Sequence, residues 1–223
     1  MANQSIHHPP AMKRLLLLLL PVVTLGVGVP DTPNRQARDE LIGLLWQASL
    51  TAEANGDAMG AIDKLGTYAK NGGDTFMDRL RAGWLNLGEK KFAEAARNYG
   101  EAAKLQPNAL SPLLGLLSVA QARNDGAAAI AAAEAVLKIE PTNHRALLAV
   151  AWGAFQGKEY KRSAAAYQRV LALYPEDPDA ISGVAWCAFY SGHKREANEG
   201  FHRLLSLNPA DPYVRQGIAA TGR

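Results

Sequence analysis

The side chains able to do chemistry are few, and their spacing does not favour it. After residue 28 there are three histidines, His144, His193 and His202, and no two fall at a spacing that sets two ligands on one helical face. No acidic residue joins them in a metal motif, so solvated or helix-capping roles outweigh ligation. The run Glu176-Asp177-Pro178-Asp179 concentrates carboxylates but lacks the glycine and the distant bidentate glutamate of a calcium loop. Cys187 is the only cysteine, so it forms no internal disulfide and reads as a small buried hydrophobe. There is no Gly-x-Ser-x-Gly, no phosphate-cradling glycine loop and no nucleophile with an evident base. What remains is a set of large rings: Trp46, Trp84, Trp152 and Trp186, with Phe155, Phe189 and Tyr190. Their chemistry is contact, because a tryptophan carries about 200 Å² of mostly apolar surface.

What positions these rings is a repeat. Pro107, Pro141, Pro175 and Pro209 stand 34 residues apart, with no insertion or deletion between them. Apolar columns precede them at Ala103, Leu137, Leu171 and Leu205, and at Leu105, Ile139, Leu173 and Leu207. Further upstream a small-residue column, Ala95, Ala129, Ser163 and Ala197, allows close helix approach. Four residues later come Tyr99, Ala133, Tyr167 and Phe201. A fifth, diverged copy lies upstream, where Gly56-Asp57 aligns with Asn124-Asp125 and Ala61 with Ala95. In that copy Gly73 replaces the proline and ends its helix through backbone freedom. Asp177-Pro178 and Asp211-Pro212 each put an N-cap carboxylate before a proline in the first helical position. The second pair opens a short helix that covers the last repeat's apolar face.

Small residue, three spacers, aromatic, then proline at a period of 34 resembles the second half of the tetratricopeptide pattern. The resemblance runs from about Asp39 to Pro209. The first half of the pattern is weaker: its early tryptophan is replaced by Arg79, Leu113, Leu147 and Ile181, and its mid-helix glycine survives only at Gly83. The fold expected is all-α, a right-handed α-solenoid of five helix-turn-helix repeats over 39–209, closed by a C-terminal capping helix in 210–223. Members of this family usually bind other proteins, so the resemblance implies a non-catalytic interaction scaffold with a protein or peptide partner, no enzyme activity, no metal and no cofactor.

The register sorts the rings. Trp84, Trp152 and Trp186 share one column with Leu50 and Ser118, and Leu87, Phe155 and Phe189 follow three residues later on the same helical face. Trp46 occupies the column four residues earlier. All belong to first helices, which in the family this resembles line the concave groove. Residues packing against the second helices, such as Leu147, Val150 and Ala154, lie on a different face. Packing between neighbouring first helices would explain the tryptophans as well as ligand contact does. The ligand-contacting alternative makes Trp84, Trp152, Phe155, Trp186 and Phe189 apolar anchors, Trp46 a further member, Tyr190 and Gln156 the edge, and Arg81 and Arg145 the polar contacts. Envelope-assembly accessory proteins, working through the convex surface or self-association, form a second implied class. A carbohydrate-binding module is a weaker third.

The start of the chain differs in kind. Lys13-Arg14 precede Leu15 to Leu20 and a further apolar run, and small residues follow at Gly26 and Gly28. Residues 1–28 read as a secretory signal peptide, with an uncleaved N-terminal anchor as the alternative and Met12 as a candidate start. The expected location is therefore exported, periplasmic or secreted. Residues 29–38 read as a flexible connector. Net charge is +3 for the whole chain. Without the leader's two basic residues it falls to +1, so composition lends no support to nucleic-acid binding.

Overall fold

The computed structural model describes residues 32–207, 209 and 212–222, so the leader and Asp211 lie outside the described residues. Among the described residues eleven α-helices follow one another: α1 (Thr32–Ala54), α2 (Ala58–Lys70), α3 (Phe76–Gly88), α4 (Phe92–Leu105), α5 (Leu110–Ala122), α6 (Gly126–Ile139), α7 (His144–Gln156), α8 (Tyr160–Leu173), α9 (Pro178–Tyr190), α10 (Lys194–Leu207) and α11 (Pro212–Thr221). Each helix packs on its neighbours in sequence, and α3–α5, α7–α9 and α9–α11 also touch. The molecule is thus an all-α solenoid of five helix pairs with a closing helix. From α3 onward the odd helices start 34 residues apart, and so do the even ones from α2.

The turns repeat as faithfully as the helices. Gly56, Lys90, Asn124, Lys158 and Gly192, spaced by 34, all adopt the left-handed conformation, with φ between 54° and 86°. This residue reverses the chain between the two helices of a pair, where glycine or asparagine fits with least strain. Between pairs, Ala109, Asn143 and Asp177 donate their N–H to the carbonyls of Gln106, Glu140 and Tyr174. Pro107, Pro141 and Pro175 therefore sit at the second position of a hydrogen-bonded β-turn, where their fixed φ is already correct. Asp57, Asp125, Asn143 and Asp177 then cap the following helices through their side chains, Asp177 reaching the Ala180 N–H at 2.7 Å.

Two expectations change. Residues 32–38 are the first two turns of α1, so the connector reading fails over that span. Thr-Pro is compatible with a helix start because the first-turn N–H groups need no intrahelical acceptor. Gly73 does not supply the left-handed residue that ends α2: Gly72 does, at φ 92°. Gly73 is instead tight against the Tyr68 ring, where no Cβ fits.

A second glycine column, Gly115, Gly183 and Gly217, explains how the pairs nest. Gly83 and Gly115 both face the Tyr99 ring, and a Cβ at either would lie within 2.7 Å of it. Gly183 leaves room for Tyr167, and Gly217 for Phe201, again at contact distances that exclude a side chain. The aromatic of one pair's second helix thus keys into the next first helix at Gly115, Gly183 and Gly217. At the corresponding site in between, both partners are alanine, Ala133 and Ala149, buried in one cluster. Because α11 carries Gly217, it meets α10 as the first helix of another repeat would.

Candidate functional site

α9 packs against α7, α8, α10 and α11, which is why it carries no charge after Asp179, while α10 is rich in Lys, Arg and Glu. Where α7 and α9 run side by side, with α5 before and α11 after, they wall a groove of about 660 Å³. Its floor is a continuous aromatic strip. Trp152 stacks on Phe155 at 5.6 Å and 12°, Phe155 meets Tyr190 edge-on at 5.7 Å, and Tyr190 lies 6.0 Å from Trp186. Trp152 and Tyr190 remain 53% exposed.

The strip is held from behind. Tyr160, the first residue of α8, stacks on Tyr190 at 5.3 Å and meets Phe155 edge-on. Phe201, fully buried on α10, meets Trp186 edge-on at 4.9 Å. Phe189 braces both Trp186 and Tyr190 while packing on the core of the last repeat. Tyr167 of α8 comes up through the gap left by Gly183 and joins the groove lining, although only 5% of the residue is exposed. Burial raises its phenol's pKa, with the Cys187 thiol and the Asp179 and Asp177 carboxyls adding to the effect, so it stays a protonated donor.

The polar rim is partly engaged. Arg145 donates through Nη2 to Ser118 Oγ and Gln121 Oε1, both at 2.8 Å. Ser118 is the one non-aromatic member of the tryptophan column between Trp84 and Trp152, and the Arg145 guanidinium uses the space its small side chain leaves. His144 bonds the Asp177 cap at 2.7 Å and meets Tyr174 edge-on, tying α7 to the turn before α9.

Half of the ten residues singled out from the sequence line this groove: Arg145, Trp152, Phe155, Trp186 and Tyr190. Phe189 supports it. Trp84 is 57% exposed on α3, outside the groove and with no aromatic neighbour among the described residues. Trp46 lies against Tyr68 at 5.6 Å with the Arg81 guanidinium over its ring at 5.1 Å, so it belongs to the first repeat's packing. Arg81 is not a free contact: it donates to Glu53 and Ser49, joining α3 to α1. Gln156 faces away, bonding Asn124 Oδ1 at 2.6 Å beside Gly126. Tyr160 and Tyr167 escape a reading confined to first helices. Their signal was available in the large residue that opens α8 and in the aromatic-to-glycine pairing across repeats. Among the described residues no group of three His, Cys, Asp or Glu side chains is arranged to hold a metal ion.

Helix pairs repeating every 34 residues, stacked so that first helices wall a groove, define the tetratricopeptide-repeat fold, and this chain has it. No family model matches the sequence, and no curated protein matches it. Solved structures do. A tetratricopeptide repeat protein from Parabacteroides merdae ATCC 43184 is similar with a TM-score of 0.70 at 18% identity, over 82% of this chain and 72% of that one. MamA from Desulfovibrio magneticus RS-1 gives 0.65 at 17% identity, over 77% and 97%. YrrB, described as a repeat protein of this type with an unusual peptide-binding site, gives 0.69 at 11% identity, over 87% and 99%.

Proposed function

We propose that this protein is a non-catalytic interaction module that holds a segment of a partner protein in the groove between α7 and α9. The observation that carries this is the ring strip Trp152–Phe155–Tyr190–Trp186, in which Trp152 and Tyr190 are half-exposed and Phe155 and Trp186 partly buried, backed by Tyr160, Phe189 and the buried Phe201. Rigid, half-exposed Trp and Tyr rings lose little entropy on binding and are the residues most often found at interface hot spots. That YrrB carries a peptide-binding site lends this reading support by analogy of fold.

The double variant Trp152→Ala/Trp186→Ala tests it. Partner capture should weaken by roughly 30-fold or more, the effect of one hot spot of about 2 kcal/mol. Trp84→Ala, which removes a ring of equal exposure outside the groove, should leave capture unchanged. Capture that survives the double variant in a folded protein would refute the reading.

A second reading, association through the outer surface, has one observation in its favour: Leu105, Ile139, Leu173 and Leu207 form a half-exposed apolar ladder on the second helices. A stable oligomer whose mass is insensitive to groove variants would favour it. We also propose export from the cytoplasm, supported by Lys13-Arg14 followed by Leu15 to Leu20. Among the described residues no helix is long and apolar enough to cross a membrane. Expression of the full chain should yield a mature protein lacking about its first 28 residues outside the cytoplasm; intact chain confined to the cytoplasm would end that proposal.

A further inference from the structure

Two opposite charges line the groove and do not meet. Arg145 is the second residue of α7 and Asp179 the second of α9, one repeat apart. Packed helix axes lie about 10 Å apart, so the two charges stand at neighbouring steps along the groove. The Arg145 guanidinium is turned away from α9 toward α5, where Nη2 donates to Ser118 Oγ and Gln121 Oε1, both neutral. Its Nε and Nη1 groups make no hydrogen bond to a described residue. Arg79, Arg81 and Arg162 each hold a carboxylate; among the described residues Arg145 holds none, and Asp179 has no cationic partner. The His144 ring also lines the groove but is already bonded to Asp177. Helix stability accounts for only one of the two charges. A carboxylate suits the positive N-terminal end of α9, and a guanidinium at the same place on α7 is disfavoured.

A segment that covers the ring strip takes water from both charges. Charge left unpaired at an interface costs binding, and charge that is matched selects the partner and fixes its direction. An uncharged segment leaves Arg145 and Asp179 both unmet, and a segment of one sign leaves one of them facing its like. We infer that the segment held by this groove carries an acidic side chain against Arg145 and a basic one against Asp179, with apolar residues between them on Trp152 and Trp186. In an extended chain, at about 3.3 Å per residue, roughly three residues separate the two charges. Arg145 is held in place by Ser118 and Gln121 before the partner arrives, so little side-chain freedom is lost on pairing. This inference rests on the groove reading above.

The test selects ligands for the whole protein from a random dodecapeptide library, displayed with each peptide's C-terminus fused so that no free carboxylate is offered. Ligands that bind Trp152→Ala/Trp186→Ala more weakly are groove ligands, and these should be enriched in peptides carrying both an acidic and a basic residue beside apolar ones. Affinities of the synthetic, capped peptides are then measured by calorimetry, with melting curves to show that each variant is folded. Replacing the peptide's acidic side chain by its amide should weaken binding to the native protein about 3- to 10-fold, the worth of one charged contact. The same replacement should cost less than about 2-fold on Arg145→Gln, because the partner charge is already gone. Replacing the basic side chain by glutamine should behave likewise, with Asp179→Asn as the insensitive variant. Groove ligands with no excess of paired opposite charges, or with one sign only, would overturn the inference. So would penalties as large on Arg145→Gln and Asp179→Asn as on the native protein, or a selection that yields no saturable ligand. Ligands that need the rings but ignore both charges defeat this inference and leave the groove reading standing. Ligands that all bind Trp152→Ala/Trp186→Ala as tightly as the native protein defeat the groove reading itself.

Discussion

Phe201→Ala is expected to lower the unfolding free energy by about 3–5 kcal/mol, the cost of removing a fully buried aromatic from a core that cannot close behind it. Phe201 is shared by three elements: it stands on α10, faces Gly217 of α11, and meets Trp186 of α9 edge-on. It packs in one cluster with Ile181, Leu204 and Val214. Because a solenoid's stability sums over neighbouring interfaces, the loss should fall first on α11, which has no repeat beyond it among the described residues. Denaturant unfolding gives the magnitude, and amide exchange gives the location. A loss below about 1 kcal/mol, or exchange spread evenly over all repeats, would contradict this view of the closing helix.

The second large effect concerns the aromatic-to-glycine key. Tyr167→Ala should cost about 3–4 kcal/mol by leaving a cavity beneath Gly183. Gly183→Ala should cost about 1–3 kcal/mol, because its methyl group meets the Tyr167 ring and α8 and α9 must part to admit it. Combined, the two changes recreate the alanine pair already present one repeat earlier at Ala133 and Ala149. The double variant should therefore be less destabilised than the sum by at least about 1 kcal/mol, a coupling expected only of residues in contact. Alanine's better helix propensity, masked by the clash in the single variant, adds to that recovery. Strict additivity in the double-mutant cycle would show that the two residues do not key together.

Much of this architecture was legible in the sequence because a tandem repeat turns local signals into a register. The helix starts at 110, 144 and 178 follow the proline column, and each proline needs the same turn wherever it occurs. The extra turns of α1 were hidden because Thr-Pro signals a helix start and a loop equally well. The site was less legible, since one column of the repeat occupies different surroundings along the solenoid. Trp152 and Trp186 face each other across α7 and α9, with Phe155 and Tyr190 between them. Trp84 stands in the same column but beside Ser118, and so has no ring to join. Arg81 and Arg145 looked alike as nearby cations, yet Glu53 and Ser49 take the first while Ser118 and Gln121 hold the second at the groove. Tyr167 was readable as a core aromatic, and it is one. Its added place in the groove depends on the absence of a single Cβ at Gly183.

Oxidative footprinting of the ring side chains, with and without the captured partner, tests the central claim most directly. Trp84, Trp152 and Tyr190 are exposed to a similar degree in the free protein, so each serves as a control for the others. The groove account predicts that partner binding protects Trp152 and Tyr190 and leaves Trp84 and the Tyr174 ring of the turn before α9 as reactive as before. Protection of Trp84 or Tyr174, with Trp152 and Tyr190 unchanged, would contradict it.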